Sequence, residues 1–144
     1  MSNPSPWPAL DGDAAALLVI TRHRAASEGR ESFLESARRA VAVLSEQAGF
    51  LDASIAVATD EAGLYVIETH WIGVGAYRRA LSSFDVKMTA IPLLSTAVDE
   101  SSAFEIVHRR TPGTETSAHS GLAADAGEVG LGSASGPDVR SVTS

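Results

Sequence analysis

The chain has 144 residues, enough for one domain, and its hydrophobic content of 44% is sufficient for a packed core. Its formal net charge of −7 argues against nucleic acid or an anionic membrane surface as a partner, because like charges repel. The absence of cysteine excludes disulfides, thiolate catalysis and Cys-ligated metal sites.

The beginning of the chain bears on its location. The opening sequence MSNPSPWPALDGD has neither the basic start nor the apolar segment of a signal peptide. No apolar stretch approaches the ~20 residues of a membrane span. We therefore expect a cytoplasmic protein with no membrane partner, in which residues 1–13 form an extended lead-in to the domain.

The first predicted elements are a strand and a helix. Residues 14–24, AAALLVITRHR, are apolar and then polar, and their length alone fits either a strand or a helix. The polar helix entry SEGRESF follows and favours the strand. Apolar residues then recur at helical spacing from Phe33 to Ala48, which predicts a helix that Gly49 ends.

A hairpin is predicted next. Apolar side chains alternate with period 2 over residues 50–59, which is typical of a strand. The segment Asp60–Gly63 has the length of a hairpin turn, and Leu64–Trp71 forms the returning strand. Four side chains of that strand share one face: Tyr65, Ile67, Thr69 and Trp71.

The remaining elements are a second helical region, a last strand and a tail. Apolar residues at helical spacing run from Val74 to Phe84, and a further helical stretch should end near Pro92, which lacks an N–H. The segment Ser102–Arg109 predicts the last strand. Residues 111–144 contain no aromatic side chain and are rich in Gly, Ser, Ala and Thr, which predicts a disordered tail.

The order of elements, βαββαβ, is typical of the α+β ferredoxin-like fold. We expect the first and third strands to be central, parallel neighbours, with both helical regions on one face of the sheet. The first strand has apolar residues on both faces, Leu17 and Val19 against Leu18 and Ile20, so the other face also needs a cover. A second copy in a C2 homodimer is the simplest cover.

Two sequence features and this layout together resemble a known family. The pair Gly49–Phe50 follows the first helix, and ETHWIGVGAY spans Glu68–Tyr77. In this segment Trp71 closes the third strand, and the pair Ala76–Tyr77 begins the second helix about six residues later. Over residues 14–110 the chain resembles the antibiotic biosynthesis monooxygenase (ABM) superfamily of dimeric α/β barrels.

The resemblance implies a pocket between sheet and helices and an O₂-dependent oxidation of a small aromatic or quinol-like molecule, without flavin or metal. The family's quinol-oxidising members use a Trp and a Tyr at the positions of Trp71 and Tyr77, which are therefore the candidate catalytic residues. Their amide-bearing residue falls on Ile67, which cannot donate a hydrogen bond. The expected function is a cofactor-independent monooxygenase with no bound cofactor.

The haem-degrading branch of the same superfamily uses an Asn on the first strand and a His on the second helix as the iron ligand. Here the Asn position is Thr21, and no histidine occurs between Trp71 and Val107. Haem degradation by that scheme is therefore not expected.

Each candidate residue also has a purely structural explanation. Trp71 either directs its indole N–H toward a ligand oxygen or fills the core between sheet and helices. Tyr77 either exchanges a proton with a phenolic substrate or packs its ring and leaves its hydroxyl in water. Phe33, Phe84 and Met88 either belong to the core or line the substrate pocket.

The histidines of the domain lie in strands. With parallel central strands, His23 and His70 would share one sheet edge, where a general base or a metal pair is conceivable. His23 lies on the face of Thr21, so these two are the preferred polar substrate-binding residues, whereas His70 points to the partner face. We expect His108 at the opposite edge, so a three-histidine metal site is not expected.

Two further functions remain open on the same fold. The protein could shelter a small apolar ligand without turnover, or it could be a structural or regulatory dimer whose pocket its own side chains fill. An open cavity beside Trp71 and Tyr77 would favour the enzyme or the binding protein, and a filled interior would favour the structural dimer.

Overall fold

A computed structural model describes residues 15–117 and confirms the ferredoxin-like order of strands and helices. The strands are β1 (Leu17–Arg24), β2 (Phe50–Val57), β3 (Leu64–Trp71), β4 (Ala103–Glu105), β5 (His108–Thr111) and β6 (Thr114–Ser117). The helices are α1 (Arg30–Ser45), α2 (Val74–Leu81), α3 (Phe84–Thr89) and α4 (Ile91–Leu94). The expected lead-in, and the expected tail beyond residue 117, lie outside the described residues.

The main sheet is antiparallel and has the strand order β2-β3-β1-β4. Its central strands β1 and β3 run in opposite directions, with Leu17 opposite Trp71 and Arg24 opposite Leu64. The expectation of parallel central strands is therefore wrong. Because α1 returns the chain so that β2 runs parallel to β1, the hairpin that joins β2 to β3 forces β3 to oppose β1.

The two faces of the central strands differ in burial, as the alternation predicts. Side chains on the inner face of β1 and β3 are at most 7% exposed. They are Leu17, Val19, Thr21 and His23 of β1, and Tyr65, Ile67, Thr69 and Trp71 of β3. Helices α1 to α4 pack on this inner face. Buried alanines of α1 and α2, and Ala90 between α3 and α4, allow the backbone to come close to the sheet.

The outer face of the sheet carries apolar side chains that are partly exposed. Leu18, Ile20 and Val66 are half-buried, and Phe104 of β4 is 43% exposed opposite Leu18. Apolar side chains thus occur on the outer face as well as on the inner face, as the sequence pattern of the first strand predicts. The expectation of a partner subunit rests on that pattern.

The helical layer after β3 consists of three short helices. The side chain of Ser83 accepts a hydrogen bond of 3.2 Å from the backbone N–H of Val86, which caps and starts α3. The helix expected to end near Pro92 ends at Thr89. Pro92 lies in the first turn of α4, where a missing N–H costs no hydrogen bond.

The first helix also differs from its expected bounds. A single turn of 3-10 helix over Ser27–Gly29 precedes α1, and α1 ends at Ser45 rather than at Gly49. Gly49 lies in the following turn with φ of 90°, a conformation that favours glycine. The sequence pattern predicted that Gly49 ends the helix. Gly49 lies instead in the turn between α1 and β2.

The end of the described chain forms a separate hairpin. The expected last strand is divided into β4 and β5, and β5 pairs with β6 in a two-stranded antiparallel sheet. Gly113, with φ of 81°, allows the tight turn between them. The expectation of disorder from residue 111 onward is thus wrong for residues 111–117.

Within residues 15–117, no helix combines the length and the apolar character that crossing a bilayer requires.

Candidate active site

A small cavity lies between the inner face of the sheet and the helices. The pairing of β1 with β3 sets Thr21 opposite Ile67 and Val19 opposite Thr69, so both threonine side chains reach the same space. Seven residues line the cavity: Val19, Thr21, Leu44, Ile67, Thr69, Tyr77 and Leu94. The lining is apolar apart from three hydroxyl-bearing side chains, which suits a small aromatic molecule with few polar groups.

The cavity is nearly filled by its own lining. Its volume is about 10 Å³, roughly the room that one water molecule needs. Ligand pockets generally occupy about 300–1,000 Å³. The described conformation is therefore closed to an aromatic substrate.

Trp71 is fully buried beside this cavity and does not line it. Its ring packs edge-on against Phe50 at 5.4 Å between centroids and lies 5.5 Å from the ring of Tyr77. Its indole Nε1–H donates to the hydroxyl oxygen of Thr69 at 2.9 Å. Trp71 thus belongs to the core between sheet and helices, with its indole N–H engaged by Thr69.

Tyr77 projects from α2 into the lining of the cavity. Burial raises the pKa of its hydroxyl above the ordinary value of 10.0, because a buried phenolate would lose solvation. Tyr77 therefore keeps its proton at neutral pH and can donate a hydrogen bond to an oxygen atom of a bound molecule.

His23 lies next to the cavity, behind Thr21. Its side chain is 1% exposed, and its Nε2 lies 2.9 Å from the hydroxyl oxygen of Thr21. Its Nδ1 lies 3.3 Å from the hydroxyl of Thr96, in the segment after α4. Burial lowers the pKa of the His23 imidazole below 6.5, because the charged form is poorly solvated.

His23 and His70 lie at opposite ends of the sheet, so the expected shared edge is wrong. In the antiparallel register His23 pairs with Tyr65, whereas His70 pairs with Leu18 at the other end of β1. His70 lies on the outer face, as expected, where its Nδ1 is 2.6 Å from a carboxylate oxygen of Asp52. A base or metal pair of these two histidines is therefore excluded.

The three apolar candidates occupy different places. Phe33 packs against His23 at 5.5 Å and against Tyr65 at 5.0 Å between ring centroids, next to the cavity residues rather than in the lining. Phe84 and Met88 are 72% and 62% exposed, so they belong neither to the core nor to the cavity wall. The cap at Ser83 restarts the helix with a new phase, and α3 buries Val86 instead.

Larger depressions lie on the outer surface of the helical layer and of the β2 edge. One groove of about 490 Å³ is lined by Met88, Arg39, Leu93 and Thr96, among others. Another of about 610 Å³ includes Tyr65 in its lining. Neither groove reaches Tyr77 or Trp71 in the described conformation.

The residues of the inner face do not fit haem ligation by the scheme of the haem-degrading branch. The hydroxyl of Thr21 is engaged with His23, and α2 contains no histidine. In the part of the chain that the structure describes, no three His, Asp or Glu side chains are grouped so that they could hold a metal ion.

Four of the seven lining residues were not among the sequence candidates: Val19, Leu44, Thr69 and Leu94. Thr96, the partner of His23, was not a candidate either. Thr69 lies on the same face of β3 as Trp71. The alternation along that strand was a signal that could have identified Thr69. Thr96 and Leu94 come from the short segment around α4, whose path over the sheet no periodicity indicates.

Three solved structures share this fold at low sequence identity. A solved cofactor-independent oxygenase, SnoaB from Streptomyces nogalater, in a mutant form, is 23% identical, with a TM-score of 0.55 over 68% of this chain and 97% of that chain. A conserved protein of Bacteroides thetaiotaomicron, described as a possible oxidoreductase, is 13% identical, with a TM-score of 0.56 over 64% and 98%. These likenesses show the shared fold.

A putative antibiotic biosynthesis monooxygenase from Chloroflexus aurantiacus is 16% identical, with a TM-score of 0.53 over 67% of this chain and 98% of that chain. No curated protein matches the chain. The family model of the antibiotic biosynthesis monooxygenases, however, matches residues 16–90, which contain β1 to β3, Trp71 and Tyr77. The chain therefore belongs to the antibiotic biosynthesis monooxygenase family.

Proposed function

We propose that the protein is a cofactor-independent monooxygenase that oxidises a small aromatic or quinol-like molecule between the sheet and the helices. The observation that carries the proposal is the placement of Tyr77, a protonated and partly buried phenol, in an apolar lining with two threonine hydroxyls. Family membership supports the reaction class, and the shared fold supports the place of the site.

The reaction requires the substrate to supply all the electrons. Molecular oxygen takes up four electrons in total, so that one oxygen atom enters the substrate and the other leaves as water. An electron-rich phenol or quinol can give these electrons once it has lost its hydroxyl proton. The protein then needs to bind the substrate, orient it and manage protons, which an apolar cavity with a few hydroxyl groups can do.

Tyr77 would donate a hydrogen bond to an oxygen atom of the substrate or of the reduced oxygen. Trp71 would act as the rigid wall behind Tyr77, because their rings are in contact and the indole is fixed to Thr69. Ile67 would contribute only apolar surface, and the hydroxyls of Thr21 and Thr69 are the polar groups of the strands in the same lining.

A substrate would have to open the closed cavity. The lining residues on the helical side are Leu44, Tyr77 and Leu94, and Leu94 belongs to α4, the shortest helix, with four residues. Movement of α4 and of the Tyr77 ring away from the sheet would enlarge the cavity without disturbing the strands. Motions of this kind accompany substrate binding in many enzymes.

A second candidate function is favoured by the cavity volume. An interior with only about 10 Å³ of free space is what a non-catalytic structural dimer of the same fold would have. A sheltering protein for a small apolar ligand would need the same opening as the enzyme but would show no turnover. Oxygen consumption separates these alternatives from the monooxygenase.

The test is oxygen uptake by purified, chelator-treated protein with a panel of quinols and phenols. The proposal predicts uptake that depends on the protein, and a loss of about 10²-fold in kcat/KM for Tyr77→Phe. Phe84→Leu, on the exposed surface of α3, is the matched aromatic control and should keep the wild-type rate. Absence of uptake with every member of the panel would leave the two non-catalytic functions.

The proposal includes a homodimer. The half-buried Leu18, Ile20 and Val66 and the exposed Phe104 form an apolar surface on the outer face of the sheet, and a second copy of the chain would cover it. Such a dimer would hold the sheet rigid from below while the helices open above it.

A further inference from the structure

His23 is a buried titratable side chain that the proposed roles of Tyr77 and Trp71 do not use. It is 1% exposed, yet both of its ring nitrogens have hydroxyl partners. A buried imidazole with two placed partners has a defined proton position, which the hydrogen-bond network reveals.

The proton position follows from Thr96. The hydroxyl of Thr96 donates to the backbone carbonyl oxygen of Leu93 at 2.7 Å, so toward His23 it can only accept. The Nδ1 of His23 must therefore carry the hydrogen. In the neutral ring Nε2 then carries a lone pair and no hydrogen, and the hydroxyl of Thr21 donates a hydrogen bond of 2.9 Å to it.

Thr21 connects this lone pair to the cavity. Its side chain lines the cavity together with Thr69 and Tyr77, and its hydroxyl hydrogen points away to His23. The oxygen of Thr21 therefore has acceptor capacity left for a donor that enters the cavity. A phenolic O–H is such a donor.

We infer that Thr21 and His23 form a proton-accepting pair that deprotonates a phenolic substrate in the cavity. This inference rests on the proposed function, to which it adds the base. The substrate O–H bond breaks and its proton passes to Thr21 Oγ1, while the Thr21 proton passes to His23 Nε2. The electron pair of the broken bond stays on the substrate as a phenolate.

The proton can return in the same reaction. When molecular oxygen takes electrons from the phenolate, one oxygen atom enters the product and the other leaves as water. The His23 imidazolium gives its Nε2 proton back to Thr21, and Thr21 gives its proton to the departing oxygen. The second proton of the water comes from the C–H bond of the substrate carbon that oxygen has attacked. The electron pair of that bond forms the new C=O bond while the O–O bond breaks. Atoms, protons and electrons then balance without any reductant other than the substrate.

The surroundings of His23 keep it neutral until the substrate arrives. Phe33 of α1 packs on its ring, Tyr65 of β3 lies opposite it, and Thr96 covers Nδ1. Tyr65 is an ionisable neighbour on this side, and its hydroxyl accepts a hydrogen bond of 3.2 Å from the charged Arg30. Desolvation lowers the pKa of His23, so the base form is present at neutral pH.

The experiment compares Thr21→Val, which keeps the shape and removes the hydroxyl, with Thr21→Ser, which restores it. We expect Thr21→Val to lower oxygen uptake by about 10²-fold at neutral pH and Thr21→Ser to recover most of the rate. The loss in Thr21→Val should shrink as the pH rises past the pKa of the free phenol, because that substrate is already ionised. Thr59→Val, at an exposed turn position, is the control substitution and should leave the rate unchanged.

A loss that is the same at every pH, or equal rates in Thr21→Val and Thr21→Ser, would overturn the inference, since a merely structural role predicts either result. Nitrogen-15 NMR of the imidazole should show the Nδ1–H form of His23 in the wild type. A neutral His23 with its proton on Nε2 would also overturn it.

A probe that is not oxidised separates this inference from the proposed function. If the wild type consumes no oxygen, the proposed function fails, and 4-nitrophenol then tests the pair alone, because its absorbance reports its ionisation. Ionisation of bound 4-nitrophenol at lower pH in the wild type than in Thr21→Val supports the pair. Equal ionisation, or no binding, contradicts it.

Discussion

The indole Nε1–H of Trp71 donates to the hydroxyl oxygen of Thr69, two residues earlier on the same face of β3, at 2.9 Å. Both side chains are at most 3% exposed, so water cannot replace this hydrogen bond. The pair fixes the orientation of the ring against which Tyr77 packs, and it thereby links the sheet to the lining of the cavity.

We predict that Thr69→Val destabilises the protein by about 1–3 kcal/mol, because it leaves the buried indole N–H without an acceptor. In the background of Trp71→Phe, which has no such N–H, the same substitution should cost much less. Urea unfolding of the four proteins gives the coupling energy between the two positions. A coupling near zero would mean that the hydrogen bond does not contribute to stability.

Gly49 joins the first helix to the sheet and offers a sharper stability test. Its φ of 90° is in the left-handed region, and an added Cβ would lie 2.4 Å from the Cβ of Ala76 in α2. Gly49→Ala should therefore cost about 2 kcal/mol or more in unfolding free energy, from backbone strain and from overpacking. Gly29→Ala is the matched control, since a Cβ there meets nothing within 4 Å, and it should be nearly neutral.

The pH dependence of stability should report on His23. Burial lowers its pKa in the folded state below the 6.5 of the exposed group. Above pH 6.5 the His23 side chain is neutral in both the folded and the unfolded chain, so it does not change the free energy of unfolding with pH. Between pH 6.5 and the lower pKa of the folded state, His23 binds a proton in the unfolded chain but not in the folded one. The free energy of unfolding therefore decreases as the pH falls through this range.

Replacement of His23 by Gln removes this contribution. The free energy of unfolding of His23→Gln, measured with denaturant at several pH values from 7 downward, should fall less steeply than that of the wild type. The difference should correspond to the binding of about one proton on unfolding. Identical slopes in the two proteins would indicate that His23 has the same pKa in both states.

The proposed dimer predicts that two exposed phenylalanines respond differently to charge. Phe104 lies on the outer face of the sheet and is 43% exposed, whereas Phe84 lies on α3 and is 72% exposed. Phe104→Glu should shift the mass measured by light scattering from two chains to one, because a buried charge opposes association. Phe84→Glu should leave the mass unchanged. A wild type that is monomeric at all concentrations would contradict the dimer.

The strands of the site were predictable because their burial follows a period of two. The alternation over Leu64–Trp71 correctly predicted which side chains of β3 face the core, and β1 repeats that pattern opposite it. The direction of β1 relative to β3 was not correctly predicted. Apolar patterning specifies which face is buried, but the chain path through α1 and the hairpin decides whether neighbours run parallel.

The helical side of the site was less predictable for a physical reason. Periodicity placed Phe84 in phase with Tyr77, but the cap at Ser83 interrupts the helix and turns Phe84 outward. The contact of Thr96 with His23 depends on how α4 returns to the sheet, which is a tertiary property. Trp71 and Tyr77, which the family resemblance gave as the candidate catalytic residues, have ring centroids 5.5 Å apart, and the indole N–H of Trp71 donates to Thr69.

Isotope incorporation from ¹⁸O₂ tests the proposed monooxygenase most directly. Chelator-treated protein is incubated with the quinol that gives the fastest oxygen uptake, and the product is analysed by mass spectrometry. A monooxygenase reaction at this site should give one labelled oxygen atom in each product molecule, and strongly reduced labelled product with Tyr77→Phe. Product without label, or labelling unaffected by Tyr77→Phe, would contradict a monooxygenase reaction at this site.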